Sequence, residues 1–229
     1  MTTLIKATNV SKVYHKTAVP VHAVNNLSVE IKEGEFTAIV GPSGCGKTTL
    51  LNILGGLDHP TEGKVQIDGV DIARMRDGQL IDFRLKNIGF VFQAYNLIPV
   101  LTATENIEFI MLLQKRSRKE RAARAKELLE KMGIADKANH RPGELSGGQQ
   151  QRVAVARALA SSPRFILADE PTANLDSVAT ENLLDLMARI NREQKATFIF
   201  STHDQRVMDK ARRLIRLVDG AIVADEVRE

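Results

Sequence analysis

The chain has 229 residues, of which 43% are hydrophobic and 26% charged, enough for a full core in one large domain or two small ones. Its formal charge of +4 is small and scattered, and two tyrosines with no tryptophan leave little aromatic surface, which argues against a nucleic-acid partner. One cysteine, Cys45, excludes an internal disulfide and fits a reducing compartment. No apolar run reaches the roughly 18 residues of a membrane span, and the start MTTLIKATNV lacks the basic and apolar parts of a signal peptide. A cytosolic protein is expected.

Residues 4–7, 22–31 and 36–40 read as short strands, the last two separated by the Glu33-Gly34 turn, and predict an antiparallel start. Tyr14 falls in the link between the first two, in the polar run SKVYHK that ends at Lys16. An exposed ring there can stack on a base; the alternative is a tyrosine plugging a strand edge.

The run GPSGCGKT, residues 41–48, follows the apolar strand at 36–40 and precedes the helical TLLNIL. That is a G-x-x-x-x-G-K-[ST] phosphate loop in its required context. The N–H groups across Gly41, Ser43, Gly44, Cys45, Gly46 and on to Thr49 would curl round phosphates. Lys47 adds a point charge, and the Thr48 hydroxyl can reach Mg²⁺. Cys45 reads as any small loop residue, without a redox role.

Residues 64–67 and 70–72, around Asp68-Gly69, read as strands that can return to the antiparallel sheet. Three later apolar runs each stop at a polar residue: IGFVF near Gln93, FILA at Asp169-Glu170 and TFIF at Ser201-Thr202-His203-Asp204. With the strand before the phosphate loop they make four such runs. Continuous apolar strands covered on both faces, with ligands at their carboxyl ends, are the signature of a parallel α/β sheet. Asp169 is a hard oxygen ligand for Mg²⁺ together with Thr48. Glu170 stands where a carboxylate can orient and deprotonate an attacking water. The Gln93 amide can hold a water or the metal, and His203 can donate to a phosphate or to that water. His15, His22, His59 and His140 read as surface residues.

Residues 94–144 carry helical signals and no convincing strand. Thr102 with Glu105 and Ser117 with Glu120 are capping boxes, and Gly133 closes the second helix. Eight basic and three acidic residues lie between Lys115 and Lys131. Glu120/Arg124 and Glu127/Lys131 are expected i,i+4 pairs. This reads as a solvated face, with attraction to anionic lipid as the alternative. The run LSGGQQQR, 145–152, then offers Ser146 as N-cap with Gln149 three residues on. Gly147 and Gly148 leave the first-turn amides open to an anion. Alone, it reads equally well as a loop capping a surface helix.

Taken in order, these motifs resemble the ATP-binding-cassette (ABC) ATPases over essentially the full length. The matching residues are the stacking aromatic Tyr14, the phosphate loop, the Gln93 loop, LSGGQ at 145–149, Asp169 with Glu170, the Asn174-Leu175-Asp176 loop and His203. The resemblance implies an α/β P-loop NTPase fold: a mainly parallel sheet, an N-terminal antiparallel β subdomain and an inserted helical subdomain. Residues 1–229 then form one domain, with 1–93 and 163–229 as core and 94–162 as the helical part. It implies ATP and Mg²⁺ as cofactors, with Lys47, Gln93, Glu170 and His203 in the chemistry and Thr48, Gln93 and Asp169 toward the metal. It further implies a homodimer in which Ser146, Gly147, Gly148, Gln149 and Asp176 face the partner's ATP. A separate membrane permease would dock near residues 93–99, holding the cassette at the cytoplasmic face. The stretches YNLIP and LTA, with Glu105-Asn106, and residues 145–160 with Thr172-Ala173-Asn174-Leu175-Asp176, are similar to the lipoprotein-release and macrolide-export branch. The end at Glu229, after a hairpin at 214–224 turning on Asp219-Gly220, implies that the membrane part is another chain and that no regulatory domain follows. An importer subunit, or a cassette acting on nucleic acid or ribosomes, is an alternative; the latter usually carries tandem cassettes or long insertions. A small-molecule kinase would leave residues 145–152 unexplained.

Overall fold

A computed structural model of the protein describes residues 2–15 and 19–228. Met1, Lys16 and Glu229, which enter the readings of the start, of the Tyr14 segment and of the chain end, lie outside the described residues. The chain runs β1 (Thr3–Tyr14), β2 (Val21–Lys32), β3 (Phe36–Val40), α1 (Lys47–Leu54), β4 (Glu62–Ile67), β5 (Val70–Asp71), α2 (Asp77–Asn87) and β6 (Ile88–Val91). It continues through α3 (Ala103–Leu113), α4 (Arg118–Lys131), α5 (Gly147–Ala160), β7 (Phe165–Asp169), α6 (Ser177–Gln194), β8 (Thr197–Thr202), α7 (Gln205–Lys210), β9 (Arg213–Val218) and β10 (Ala221–Val227).

Two sheets result. An antiparallel sheet has the order β2-β1-β4-β5, and a six-stranded sheet has the order β10-β9-β3-β8-β7-β6. All neighbours in the second are parallel except β10 with β9. The expected hairpin at the end is present, but its first arm, β9, also pairs with β3 and is a fifth parallel strand beyond the four expected. It had looked like a mere hairpin arm because Arg213 and Arg216 interrupt its apolar run.

Strand side chains alternate between faces, and here each face has its own core. Phe36, Ala38, Val40, Ile166, Ala168, Phe198, Phe200 and Leu214 pack into a cluster with α3, α4, α5 and α6. Ile39, Phe165, Leu167, Ile199 and Ile215 pack on the other side with α1 and the antiparallel sheet. This double cover is why the strands are apolar at successive positions. The inserted helices thus share one continuous core with the sheet.

Three local expectations are corrected. Tyr14 ends a strand rather than sitting in a link, because β1 and β2 stay paired to Tyr14↔Val21 through register shifts after Ala7 and Val10. The left-handed Asn9 and Asn26 (φ 49° and 41°) accommodate the irregular pairing. The Glu120/Arg124 pair does not form: the Glu120 carboxylate accepts from the Ser117 N–H and hydroxyl at 2.9 and 2.6 Å. Arg124 therefore turns to Glu127 at 2.9 Å, which also holds Lys131 at 2.6 Å. Finally, α2 fills a stretch for which no element was expected; only Leu80 of its residues is buried, so it shows no apolar stripe.

Candidate active site

The phosphate loop leaves β3 and enters α1 pressed against neighbouring backbone. Gly46 has φ 100°, and a Cβ on it would stand 2.0 Å from the Ala23 carbonyl oxygen, so no larger residue fits. Around Gly44, by contrast, no described residue lies within 4 Å of where a Cβ would be. Lys47 is buried, its ammonium donating to the carbonyls of Gly41 at 2.8 Å and Pro42 at 3.0 Å. Two of its three hydrogens are thereby used, and one remains for an anion held by the loop.

The carboxyl ends of β7 and β8 meet this loop. Asp169 on β7 is paired with Ser201 on β8. Its Oδ1 accepts from the Thr48 hydroxyl at 3.0 Å and from the Ser201 hydroxyl. Glu170, the next residue, is left-handed at φ 45°, a conformation that costs a non-glycine residue about 1–2 kcal/mol. Its N–H donates to the Ser201 carbonyl at 3.0 Å. Its Oε1 lies 2.9 Å from His203 Nδ1, while its Oε2 is buried and has no partner among the described residues. A buried acceptor without a donor costs about 1–3 kcal/mol, so the second oxygen is poised for a proton-bearing guest such as water.

The remaining motif residues gather one step away. Gln93 is exposed, and its carbonyl accepts from Asn174 Nδ2 at 2.9 Å. The Tyr95 hydroxyl donates to the Asn174 carbonyl at 3.3 Å. Ser146 caps α5 as the sequence predicts: its hydroxyl accepts from the Gln149 N–H at 3.3 Å, and its own N–H donates to Gln149 Oε1 at 2.9 Å. Asp176 is the N-cap of α6, accepting from the Ala179 N–H at 2.8 Å, and a Cβ on Gly148 would stand 3.2 Å from that of Ala179. The starts of α5 and α6 therefore lie together, with Ser146 and Asp176 both exposed. Among the described residues no side-chain hydrogen bond joins the signature residues to the phosphate loop.

Tyr14 is half-buried, its hydroxyl donating to Asp58 Oδ2 at 2.7 Å. Lys12 Nζ reaches Asp58 Oδ1 at 2.6 Å and stands 4.9 Å from the centre of the tyrosine ring. Burial raises the Tyr14 phenol above its ordinary value, helped by Asp58. Asp58 was not marked by sequence reasoning, and Ser201 was named only as the polar end of an apolar strand. Its supporting role could have been found from that position, which it shares with Asp169. Of the remaining histidines, His15, His22 and His59 are exposed and His140 is half-buried.

The site suits a nucleotide phosphate with Mg²⁺. Among the described residues no group of three His, Cys, Asp or Glu could hold a metal by itself. Mg²⁺ keeps waters and phosphate oxygens and takes only one or two protein oxygens. The adjacent Thr48 hydroxyl and Asp169 carboxylate are such a donor set.

Known proteins place the chain. The ABC transporter family profile matches residues 24–173. The lipoprotein-releasing system ATP-binding protein LolD of Geobacter metallireducens is 43% identical over 225 residues, 98% of this chain and 100% of its own. The macrolide export ATP-binding/permease protein MacB 1/2 of Paracoccus denitrificans is 43% identical over 222 residues, which is 97% of this chain and 33% of that longer protein. Among solved structures, the ATP-binding cassette MJ0796 of Methanocaldococcus jannaschii, in a dimeric post-hydrolysis state bound to ADP and Pi, superposes with a TM-score of 0.92. It is 46% identical and covers 99% of both chains. No helix among the described residues is long and apolar enough to cross a membrane. The chain belongs to the ABC transporter family, within which it is a cassette that binds and hydrolyses ATP with Mg²⁺.

Proposed function

We propose that this cassette works as an ATP-dependent homodimer that drives a separate membrane permease from the cytoplasmic face, in lipoprotein release, macrolide-type export or related work across an envelope. The observation that carries the dimer is the exposed, capped start of α5. The phosphate loop with Lys47, Thr48 and Asp169 already makes a complete cradle, so a second anion-binding helix start serves the ATP of a neighbouring chain. Asp176, exposed beside it, belongs to the same surface.

Within one chain, the N–H groups of Gly41, Ser43, Gly44, Cys45, Gly46 and Thr49 hold the phosphates, and the Tyr14 ring stacks on adenine. Thr48 and Asp169, with the Gln93 amide as a further oxygen donor, would hold Mg²⁺, which would supply positive charge to the phosphates. Glu170 Oε2 accepts the proton of the attacking water, while His203, fixed through Oε1, donates to the γ-phosphate. The permease docks by a short helix between residues 93–99 and the helical part, where Val100, Phe109, Leu112 and Leu113 are exposed.

Glu170→Gln tests the reading. It should stop turnover, keep ATP binding and elute as a dimer with ATP and Mg²⁺ in size-exclusion chromatography. A variant that binds ATP and stays monomeric refutes the ATP-dependent homodimer.

A further inference from the structure

One charged side chain has no part in the chemistry above. Arg157, on α5, is half-buried, and burial pulls its basicity below the ordinary arginine value. Among the described residues it has no carboxylate partner, although a buried cation normally needs one. Its guanidinium instead donates to two successive main-chain carbonyls, Nη1 to Asn96 and Nη2 to Tyr95 at 2.9 Å. Those two residues are both left-handed, at φ 55° for Tyr95 and 49° for Asn96. Consecutive non-glycine residues in that region form a turn the backbone does not choose unaided. The turn stands one residue beyond Gln93, after Ala94.

The same turn is held at a second point. The Tyr95 hydroxyl donates to the Asn174 carbonyl, and Asn174 Nδ2 returns to the Gln93 carbonyl. That hydroxyl also lies where a Cβ on Gly147 would come within 2.8 Å of it, so glycine at the start of α5 leaves room for the tyrosine. The loop is thus gripped by Arg157 from within α5, and Tyr95 sets it against both the first residue of α5 and the loop leading to Asp176.

We propose that Arg157 and Tyr95 are positioning residues that lock the Gln93 loop to the signature helix and the Asp176 loop. Gln93, which serves its own chain's metal site, is then held at a fixed spacing from Ser146 and Asp176, which meet the partner's nucleotide together. The guanidinium suits this task because its planar fork presents several N–H groups at once, whereas a lysine is a single flexible point. Without the grip the left-handed turn relaxes, Tyr95 leaves Gly147, and the signature reaches the interface out of register with Gln93. This inference rests on the dimer proposed above and adds the device that aligns its parts.

The test uses the full chain carrying Glu170→Gln, with Arg157→Met, Arg157→Lys or Tyr95→Phe added, and measures ATP affinity of the monomer at low protein concentration alongside the ATP-dependent dimer dissociation constant. Losing a charge-assisted pair of hydrogen bonds should weaken the dimer by about tenfold or more in Arg157→Met, and losing one neutral bond by a few-fold in Tyr95→Phe. Monomer affinity and thermal unfolding should change little, and Arg157→Lys should recover part of the loss. With Glu170 restored, Arg157→Met should lower kcat and leave KM for ATP near its original value. Unchanged dimerisation in Arg157→Met, or losses of monomer affinity equal to those of dimerisation, overturns the proposal. Should Arg157→Met fail to fold, Tyr95→Phe decides alone, and a dimer as tight as that of Glu170→Gln refutes it. A Glu170→Gln parent that never dimerises sinks the dimer reading itself and this inference with it.

Discussion

Glu170 brings together what the proposed chemistry needs: a left-handed backbone, one carboxylate oxygen on His203 and the other buried without a partner among the described residues. General-base catalysis contributes about 10²–10⁴-fold, so Glu170→Gln should lower hydrolysis by that factor, read as phosphate release, with nucleotide affinity kept. A variant hydrolysing at the original rate would remove Glu170 from the chemistry. Tyr14 is held less obviously. With Lys12 toward one side of its ring and Asp58 on its hydroxyl, its orientation is fixed before any base arrives. Asp58→Ala should therefore weaken ATP binding by a few-fold, roughly the worth of one hydrogen bond, in calorimetric titration; unchanged affinity would leave the tether without a role. The Asp58 carboxyl, which burial alone would raise, is brought below its ordinary value by hydrogen bonds from Lys12, Tyr14 and the His59 N–H. A depressed acid stabilises the fold above its unfolded value and loses that contribution as pH falls through the folded one. The stability gap between the native chain and Asp58→Asn should be full at neutral pH and close in acid, measured by urea unfolding. A gap that widened in acid would contradict the sign. The residues proposed to carry the chemistry were legible because each sits in a contiguous motif or at a strand end. Asp58 was not, because it reaches Tyr14 across 44 residues of chain, and Ser201 was legible as a strand end but not as the partner of Asp169, 32 residues away.

Among elements, those with chemical punctuation were the readable ones. Thr102, Ser117 and Ser146 each close the capping box the sequence predicts. Replacing such a cap by alanine costs about 1 kcal/mol, so Ser117→Ala, far from the nucleotide, should lower unfolding stability by that amount in urea while hydrolysis stays constant; no change would mean that α4 takes its support from packing alone. The helix α2 was illegible for a physical reason, since it buries only Leu80 and leaves no stripe to read. The helix α6 is different. Leu183, Leu184, Met187 and Ile190 are buried at helical spacing behind the Asp176 cap, so its signal was present in the chain and no helix was assigned to it. The strand β9 hid its parallel pairing because pattern alone does not reveal which neighbour a strand selects.

At the scale of the molecule, the parallel sheet delivers Gly41, Asp169 and Ser201 from three strand ends to one edge, which is why an apolar pattern stopping at polar residues points to the place of the proposed site. What the pattern could not foresee is that the inserted helices share the sheet's own core, placing the start of α5 beside that of α6 on one exposed surface. A bulky cation there should block the partner: Ser146→Arg is expected to abolish hydrolysis while the monomer still binds ATP, and turnover near the native rate would deny the signature its role across the interface. The most direct measurement is light scattering on Glu170→Gln with ATP and Mg²⁺, beside the same chain also carrying Ser146→Arg. The account predicts a dimer holding two ATP for the first and an ATP-bound monomer for the second. Two dimers, or two monomers saturated with ATP, would contradict it.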